Sequence, residues 1–168
     1  MLRFVPALGA MMIALGCIEL TIGGLVALAT MMIVVIGIMQ QVGIVPVQPG
    51  DPPGVVMACC GGTFYGLPTI LMLVVGAIHI YAGIKHLHYS GRIVGWVAAI
   101  LGIVTATTCG CAPLGMAVGV LGIIAYVDPV VKRALTLGDE GMAVDEILQT
   151  VEHFTVNSGA SGLGRPRF

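Results

Sequence analysis

Residues 4–39 read FVPALGAMMIALGCIELTIGGLVALATMMIVVIGIM, and this stretch decides the fold. Within it, only Glu19, Thr21 and Thr30 depart from a run of apolar residues. Since about 20 residues of helix cross the hydrocarbon core of a bilayer, the stretch predicts one spanning helix that is strongly tilted or protrudes. Residues 14–17 echo a lipoprotein cleavage box, but cleavage there would cut the spanning helix in half. We therefore expect the helix to be retained.

The composition is that of a membrane protein throughout. Of the 168 residues, 58% are hydrophobic and 9% are charged, whereas a soluble domain has roughly 25% charged residues. The formal net charge is −1, and the few basic residues are spread thinly along the chain. This distribution excludes a basic nucleic-acid-binding surface. The bilayer itself is the first partner that the composition predicts.

Three further spans are expected after the first. Residues 63–84 lack any charge and predict the second span. Residues 93–127 are also uncharged, but as one helix they would be about 52 Å long, which is too long for an ordinary crossing. A Cys- and Pro-containing break divides them, so they predict a hairpin of two short helices at 93–107 and 113–127. Both arms are short for a span, so a re-entrant hairpin stays open as an alternative.

The basic residues indicate how the chain threads the membrane. All seven can be placed on one side, because they flank the apolar runs in a regular order: Arg3, Lys85, Arg92, Lys132, Arg133, Arg165 and Arg167. The connections near residues 40–63 and 108–113 contain no Lys or Arg. By the positive-inside rule, this distribution predicts a multi-pass protein of the bacterial inner membrane with both termini in the cytoplasm. Residues 1–137 would then form an all-α domain of four transmembrane helices.

The chain beyond the last span, residues 138–168, is expected to be cytoplasmic. Asp128 and Pro129 are typical of a helix N-cap and first helical position. We therefore expect a short helix, Pro129–Leu137, to precede this region. Residues 144–154 repeat apolar side chains at three- and four-residue spacing, which predicts a small amphipathic helix. Its charge is acidic, so docking against protein suits it better than anionic lipid. Residues 158–168 predict a disordered tail.

Small residues recur at seven-residue intervals in every predicted span. The series are Gly9, Gly16, Gly23, Thr30 and Gly37; Gly62, Thr69, Gly76 and Gly83; Gly95 and Gly102; and Gly115 and Gly122. A seven-residue repeat keeps one stripe of a helix facing its partner in a left-handed crossing. Because lipid tails are as apolar as leucine, close backbone packing must hold such a bundle together. The pattern therefore predicts glycine seams between the helices.

Four of the five cysteines fall on the predicted outer side, at Cys59, Cys60, Cys109 and Cys111. In an oxidising compartment they would favour disulfides between the two loops. Free packed thiols are a second interpretation. A site of four thiolates for zinc or copper(I), with Met57 nearby, is a third. The spacings C-C and C-x-C do not match the usual C-x2-C pattern of zinc sites.

Two ionisable residues lie within the predicted spans. Glu19 is a candidate for a proton relay or cation site, or else a protonated carboxyl that is hydrogen-bonded internally. His79 lies between two seam glycines, where a haem or chlorin ligand is conceivable, although a packed, hydrogen-bonded histidine is the plainer interpretation. His86 and His88 are expected to be solvated loop residues. Three aromatic residues are expected as interface anchors, namely Trp96, Tyr81 and Tyr126.

Several motifs resemble those of a known family. They are Val5-Pro6-Ala7-Leu8-Gly9, the hairpin Cys109-Gly110-Cys111-Ala112-Pro113, and Asp128-Pro129-Val130-Val131-Lys132 after the last span. The last two lie in the region from Gly76 to Leu135, which resembles a family of uncharacterised small four-span membrane proteins of planctomycete-type bacteria, and the Val5–Gly9 start also fits that family. That family has adjacent cysteines at the hairpin, where this chain has C-x-C. The resemblance implies four spans and a membrane location, and it implies no activity.

The function expected from the sequence is that of a non-enzymatic scaffold or accessory subunit of a membrane complex. No phosphate loop, catalytic triad or dinucleotide fingerprint is present, and no cofactor is expected. The expected partners are other membrane subunits or a second copy of the chain. Two alternatives remain: a thiol or metal protein at the outer face, and a small transporter that uses Glu19.

Overall fold

The computed structural model describes residues 4–47, 49–108 and 112–160, and it confirms the all-α fold. The described part of the chain forms six helices. They are α1 (Phe4–Gln41), α2 (Gly54–Leu87), α3 (Arg92–Thr108), α4 (Ala112–Val127), α5 (Pro129–Asp139) and α6 (Val144–Ala160).

Two of these helices, α1 and α2, are each long and apolar enough to cross a membrane. Pro113–Val127 and Pro129–Asp139 pass the same test together, but they are bent by 87° at the break between them. The described residues therefore contain two candidate spans, or three if the bent pair counts as one. Helix α3 is a shorter apolar helix. The four-span topology with both termini inside stays a prediction.

Most helix boundaries lie within a few residues of the predicted spans, but α2 begins at Gly54, nine residues before the predicted position. The prolines of the preceding loop allow this start, because Pro53 offers its carbonyl to the Met57 amide at 3.0 Å. Helix α6 continues to Ala160. The predicted disordered tail is thus helical over residues 158–160, and residues 161–168 lie outside the described part.

The chain forms two compact units. Unit 1 comprises Met1–Leu15 and Ile78–Phe168, and unit 2 comprises Gly16–Ala77. In unit 2, α1 and α2 run antiparallel with glycines in contact at both ends. A Cβ atom built on Gly76 would lie 3.0 Å from the Gly16 carbonyl oxygen, and one on Gly37 would lie 2.7 Å from the Gly54 carbonyl oxygen. These contacts confirm the predicted glycine seam in unit 2.

Unit 1 contains the same kind of seam. A Cβ atom on Gly83 of α2 would lie 2.6 Å from the Gly9 carbonyl oxygen of α1. Between α3 and α4, one on Gly102 would lie 3.2 Å from the Gly115 carbonyl oxygen. Only glycine permits such close backbone approach, so the seven-residue repeat of small residues acts as predicted.

Helices α5 and α6 pack onto the bundle of unit 1. The buried face of α5 consists of Val131, Ala134, Leu135 and Leu137. Helix α6 adds Ile147 and Val151 to the same core. The predicted N-cap is confirmed, because the Asp128 carboxylate accepts hydrogen bonds from Val130 N at 2.8 Å and Val131 N at 3.1 Å.

Candidate functional site

Two histidines of α2 form the buried polar centre of unit 1. His79 and His86 both have 0% of their surface exposed. Because they are seven residues apart, they share one face of the helix and are separated by about 10 Å along its axis. Buried imidazoles need hydrogen-bond partners, and each ring finds one on the protein.

His86 has both ring nitrogens engaged. Its Nδ1 lies 2.7 Å from the Ala82 carbonyl oxygen, so Nδ1–H is the donor of that bond. In a neutral ring Nε2 is then an acceptor, and the Tyr126 hydroxyl donates to it at 2.6 Å. The two rings meet edge to face, with centroids 5.5 Å apart. The contact joins the end of α2 to the end of α4.

Gly95 of α3 provides the space for this pair. A Cβ atom there would collide with the Tyr126 hydroxyl and would lie 2.7 Å from His86 Nε2. Trp96, the next residue, packs its ring against Tyr126 with centroids 5.5 Å apart. Gly95, which belongs to the glycine seam of α3, therefore also packs against the His86–Tyr126 hydrogen bond.

His79, seven residues before His86 on α2, also forms a hydrogen bond with a neighbouring helix. Its Nε2 lies 3.0 Å from the Ala98 carbonyl oxygen of α3, so the ring donates across the helix pair. A Cβ atom on Gly102 would come within 3.5 Å of the same nitrogen. His79 and His86 thus face Gly102 and Gly95, because both pairs have the same seven-residue spacing in antiparallel helices. A haem bound through Nε2 would have to replace the bond to Ala98.

The turn between α2 and α3 is clasped by the end of α5. The Asp139 carboxylate accepts from Gly91 N at 2.6 Å and lies 3.4 Å from Arg92 N, where α3 presents unsatisfied amides. Tyr89 adopts a left-handed conformation with φ 52°, and Gly138 packs directly on its carbonyl group. Burial raises the pKa of the Tyr89 phenol. These contacts tie the end of α5 to the turn.

Glu19 is buried as expected, with 3% of its surface exposed. A Cβ atom built on Gly76 of α2 would lie 3.2 Å from the Glu19 Cβ. Glu19 therefore lies on the face of α1 that packs against Gly76. Glu19 belongs to unit 2 and His79 to unit 1. Because both side chains are buried, both face protein, which is the position that polar groups within spans usually occupy.

The cysteine hypotheses depend on residues that the structure describes only in part. Cys59 and Cys60 are exposed and carry free thiols, whereas Cys109 and Cys111 lie outside the described residues. No group of three or more His, Cys, Asp or Glu residues is placed to hold a metal within the described part of the chain. The disulfide and metal interpretations of the four cysteines stay predictions.

The sequence interpretation of His86 was wrong. We expected a solvated loop residue, whereas His86 is fully buried and His88, two residues on, is exposed. Tyr126, expected as an interface anchor, is buried in the core. The available signal was the equal spacing of His79–His86 and Gly95–Gly102, which matches the two histidines to two glycines.

Comparison with known protein families, with curated proteins and with solved structures finds no match to this chain. The resemblance to small planctomycete-type membrane proteins stays a prediction.

Proposed function

We propose that this chain is a multi-pass bacterial inner-membrane protein that acts as a non-enzymatic scaffold or accessory subunit of a membrane complex. The observation that carries the proposal is the exposed apolar surface of unit 2. On α1 it includes Leu25, Leu28, Met31, Met32, Val35, Ile36, Ile38 and Met39. Such a surface is not stable in water, and lipid or the helices of another subunit would cover it.

Two matching stripes on unit 2 support a partner helix. On α1 the residues are Cys17, Thr21, Gly24 and Leu28, and on α2 they are Cys59, Thr63, Gly66 and Ile70. Both stripes have the spacing four, three, four. Gly24 and Gly66 each have open space where a Cβ atom would be. Small residues at a helix surface let a neighbouring helix approach closely, which is how helices associate in lipid.

The two stripes lie at nearly the same depth in unit 2. Gly16 and Gly76 are in contact. Gly24 follows Gly16 by eight residues and Gly66 precedes Gly76 by ten, so they lie about 12 Å and about 15 Å from that contact along their helices. One partner hairpin inserted in the membrane would therefore meet both stripes at the same level.

Four spans with cytoplasmic termini are part of the same proposal. Helices α3 and α4 form an antiparallel pair packed through glycine, as adjacent spans do. The 87° bend before α5 supports an α5 that lies along the inner surface. Its exposed Lys132 and Arg133 agree with a cytoplasmic position for that surface.

The test of the accessory-subunit proposal is copurification from native membranes in mild detergent. We expect a membrane protein, or a second copy of the chain, to be recovered in fixed ratio with the wild type. Gly24→Leu and Gly66→Leu should reduce that recovery without lowering the thermal stability, because both glycines have open space around them. Met32→Leu, which places the same leucine side chain on the exposed face of α1 with little change in volume, is the control. Recovery of the wild-type chain alone would contradict the proposal.

A second candidate function, proton or cation transport, rests on the burial of Glu19. A carboxyl within a span is costly, and such residues often mark ion pathways. Purified protein in liposomes with an internal pH dye tests this candidate. Transport that Glu19→Gln abolishes would favour it, and equal fluxes in wild type, variant and empty liposomes would eliminate it.

A further inference from the structure

The His86–Tyr126 contact fits the neutral imidazole and disfavours the protonated one. Nδ1 already donates to the Ala82 carbonyl oxygen, and Nε2 accepts from the Tyr126 hydroxyl. A proton added to Nε2 would oppose the Tyr126 O–H. If the hydroxyl rotated to accept, the charge would still lie in a fully buried ring, and a neutral phenol oxygen does not compensate a buried charge.

The groups around the ring offer little compensation. From α1, Gly9 lies against His86 Cβ, and residues 4–15 contain no ionisable side chain. From α3, Gly95, which has no ionisable side chain, lies against the ring. From α5, the negative charge of Asp139 favours the charged ring from a distance, but the burial of the ring outweighs it.

The contact is placed where its loss has a mechanical consequence. Tyr126 precedes Asp128 by two residues, and Asp128 caps α5 at the 87° bend. The hydrogen bond to His86 therefore fixes the bend between α4 and α5, Val127–Pro129, to the end of α2. We call this bend the elbow. Helix α6, which packs on α5, is held by the same elbow.

We propose that the His86–Tyr126 contact is a proton-operated catch that holds the α4–α5 elbow closed while His86 is neutral and releases it when His86 is protonated. The proton enters from solvent and adds to Nε2, and the Tyr126 hydroxyl keeps its own proton. Release weakens the attachment of α5 and α6 to the end of the bundle, where their apolar contacts and the Asp139 hydrogen bonds remain. This property goes beyond the scaffold function and does not depend on it.

The size of the effect follows from proton linkage. The closed state excludes the charged ring, so closure is fully stable above the ordinary imidazole titration range and is weakened as the pH falls through it. Because a free imidazole titrates near pH 6.5, the ratio of released to closed molecules rises by at most about tenfold between about pH 7.5 and about pH 5.5.

The chain contains its own reporter, because Trp96 is its single tryptophan and packs on Tyr126. We would record tryptophan fluorescence of the full-length protein in lipid nanodiscs while lowering the pH over this range and then restoring it. A reversible change in emission is expected for the wild type. His86→Gln should abolish it, and Tyr126→Phe should abolish it by removing the bond. His88→Gln, which alters the exposed histidine two residues further on, should leave it intact.

Amide hydrogen exchange of the wild type at both pH values makes the test independent of whether His86→Gln folds. After correction for the intrinsic pH dependence of exchange, amides of α5 should lose protection at low pH relative to those of α3. A flat Trp96 emission together with unchanged α5 protection would overturn the proposal. An emission change of the same size in folded His86→Gln would also overturn it.

Discussion

The glycine seam predicts that one substitution has opposite effects at two positions of the same helix. At Gly83 of α2, an alanine Cβ would lie 2.6 Å from the Gly9 carbonyl oxygen and 3.0 Å from Ile13 N. Ordinary contacts begin near 3.4 Å, so the backbones would have to move apart by most of an ångström. At Gly66, nothing lies within 4 Å of the new atom. Gly83→Ala should therefore strain the packing, and Gly66→Ala should not.

The free energies of unfolding set the expected difference. Replacing a mid-helix glycine by alanine stabilises a helix by about 0.5–1 kcal/mol, and this gain applies at both positions. Overpacking costs about 1–3 kcal/mol, and it applies only at Gly83. The gain cancels when the two variants are compared, so Gly83→Ala should be less stable than Gly66→Ala by about 1–3 kcal/mol. For a chain of this length, a difference of about 2 kcal/mol lowers Tm by about 4–8 °C.

The assay is thermal unfolding of wild type and both variants in the same mild detergent, followed by circular dichroism. Gly24→Ala and Gly9→Ala provide a matched pair on α1, because Gly24 is also open and a Cβ on Gly9 would lie 2.9 Å from the Gly83 carbonyl oxygen. Equal Tm values within each pair would refute the seam as the basis of helix packing.

Asp139→Ala should destabilise unit 1 by about 1 kcal/mol in a thermal unfolding experiment, because two amides at the start of α3 lose their acceptor. Glu140→Ala, which changes the neighbouring exposed acid, should leave Tm within error of the wild type, and an equal loss in both variants would contradict the clasp. Reporter fusions in the α1–α2 loop should score periplasmic and fusions after α5 cytoplasmic, since the basic residues lie on one side; the reverse pattern would exclude the proposed topology. Cys59 and Cys60 have exposed thiols, so a membrane-impermeant thiol reagent added to intact cells with a permeabilised outer membrane should label them, and Cys59→Ser with Cys60→Ser should reduce that signal. Labelling that requires rupture of the inner membrane would place them on the other side.

Part of the candidate site was readable from the sequence because it depends on spacing. The histidines and the α3 glycines each repeat at seven residues, and Asp128-Pro129 is a helix start that local chemistry alone specifies. His86 was not expected to be buried despite this spacing. It follows Lys85 and precedes a turn, which is the composition of a solvated loop, yet α2 continues to Leu87 and places the ring against Gly95.

The clasp at Asp139 was hidden for a related reason. Gly91 and Asp139 are 48 residues apart in the chain, and neither belongs to a motif that would connect them. Their contact exists because α5 turns by 87° after α4 and lays its apolar face on the bundle. The amphipathic pattern of α5 predicts that its apolar face is buried. It does not say which other segment of the chain the C-terminal end of α5, with Asp139, contacts.

The sequence by itself determined the all-helical fold, the long apolar helices and the seam, because apolar length, caps and seven-residue spacing act within one helix and need no knowledge of its neighbours. The tertiary structure alone decided which residues meet: His86 with Tyr126, His79 with Ala98, and Asp139 with the start of α3. These contacts depend on the rotation and offset of helices around one another. A shift of one residue turns a helix by about 100°, so small differences in packing change the neighbours of every polar side chain.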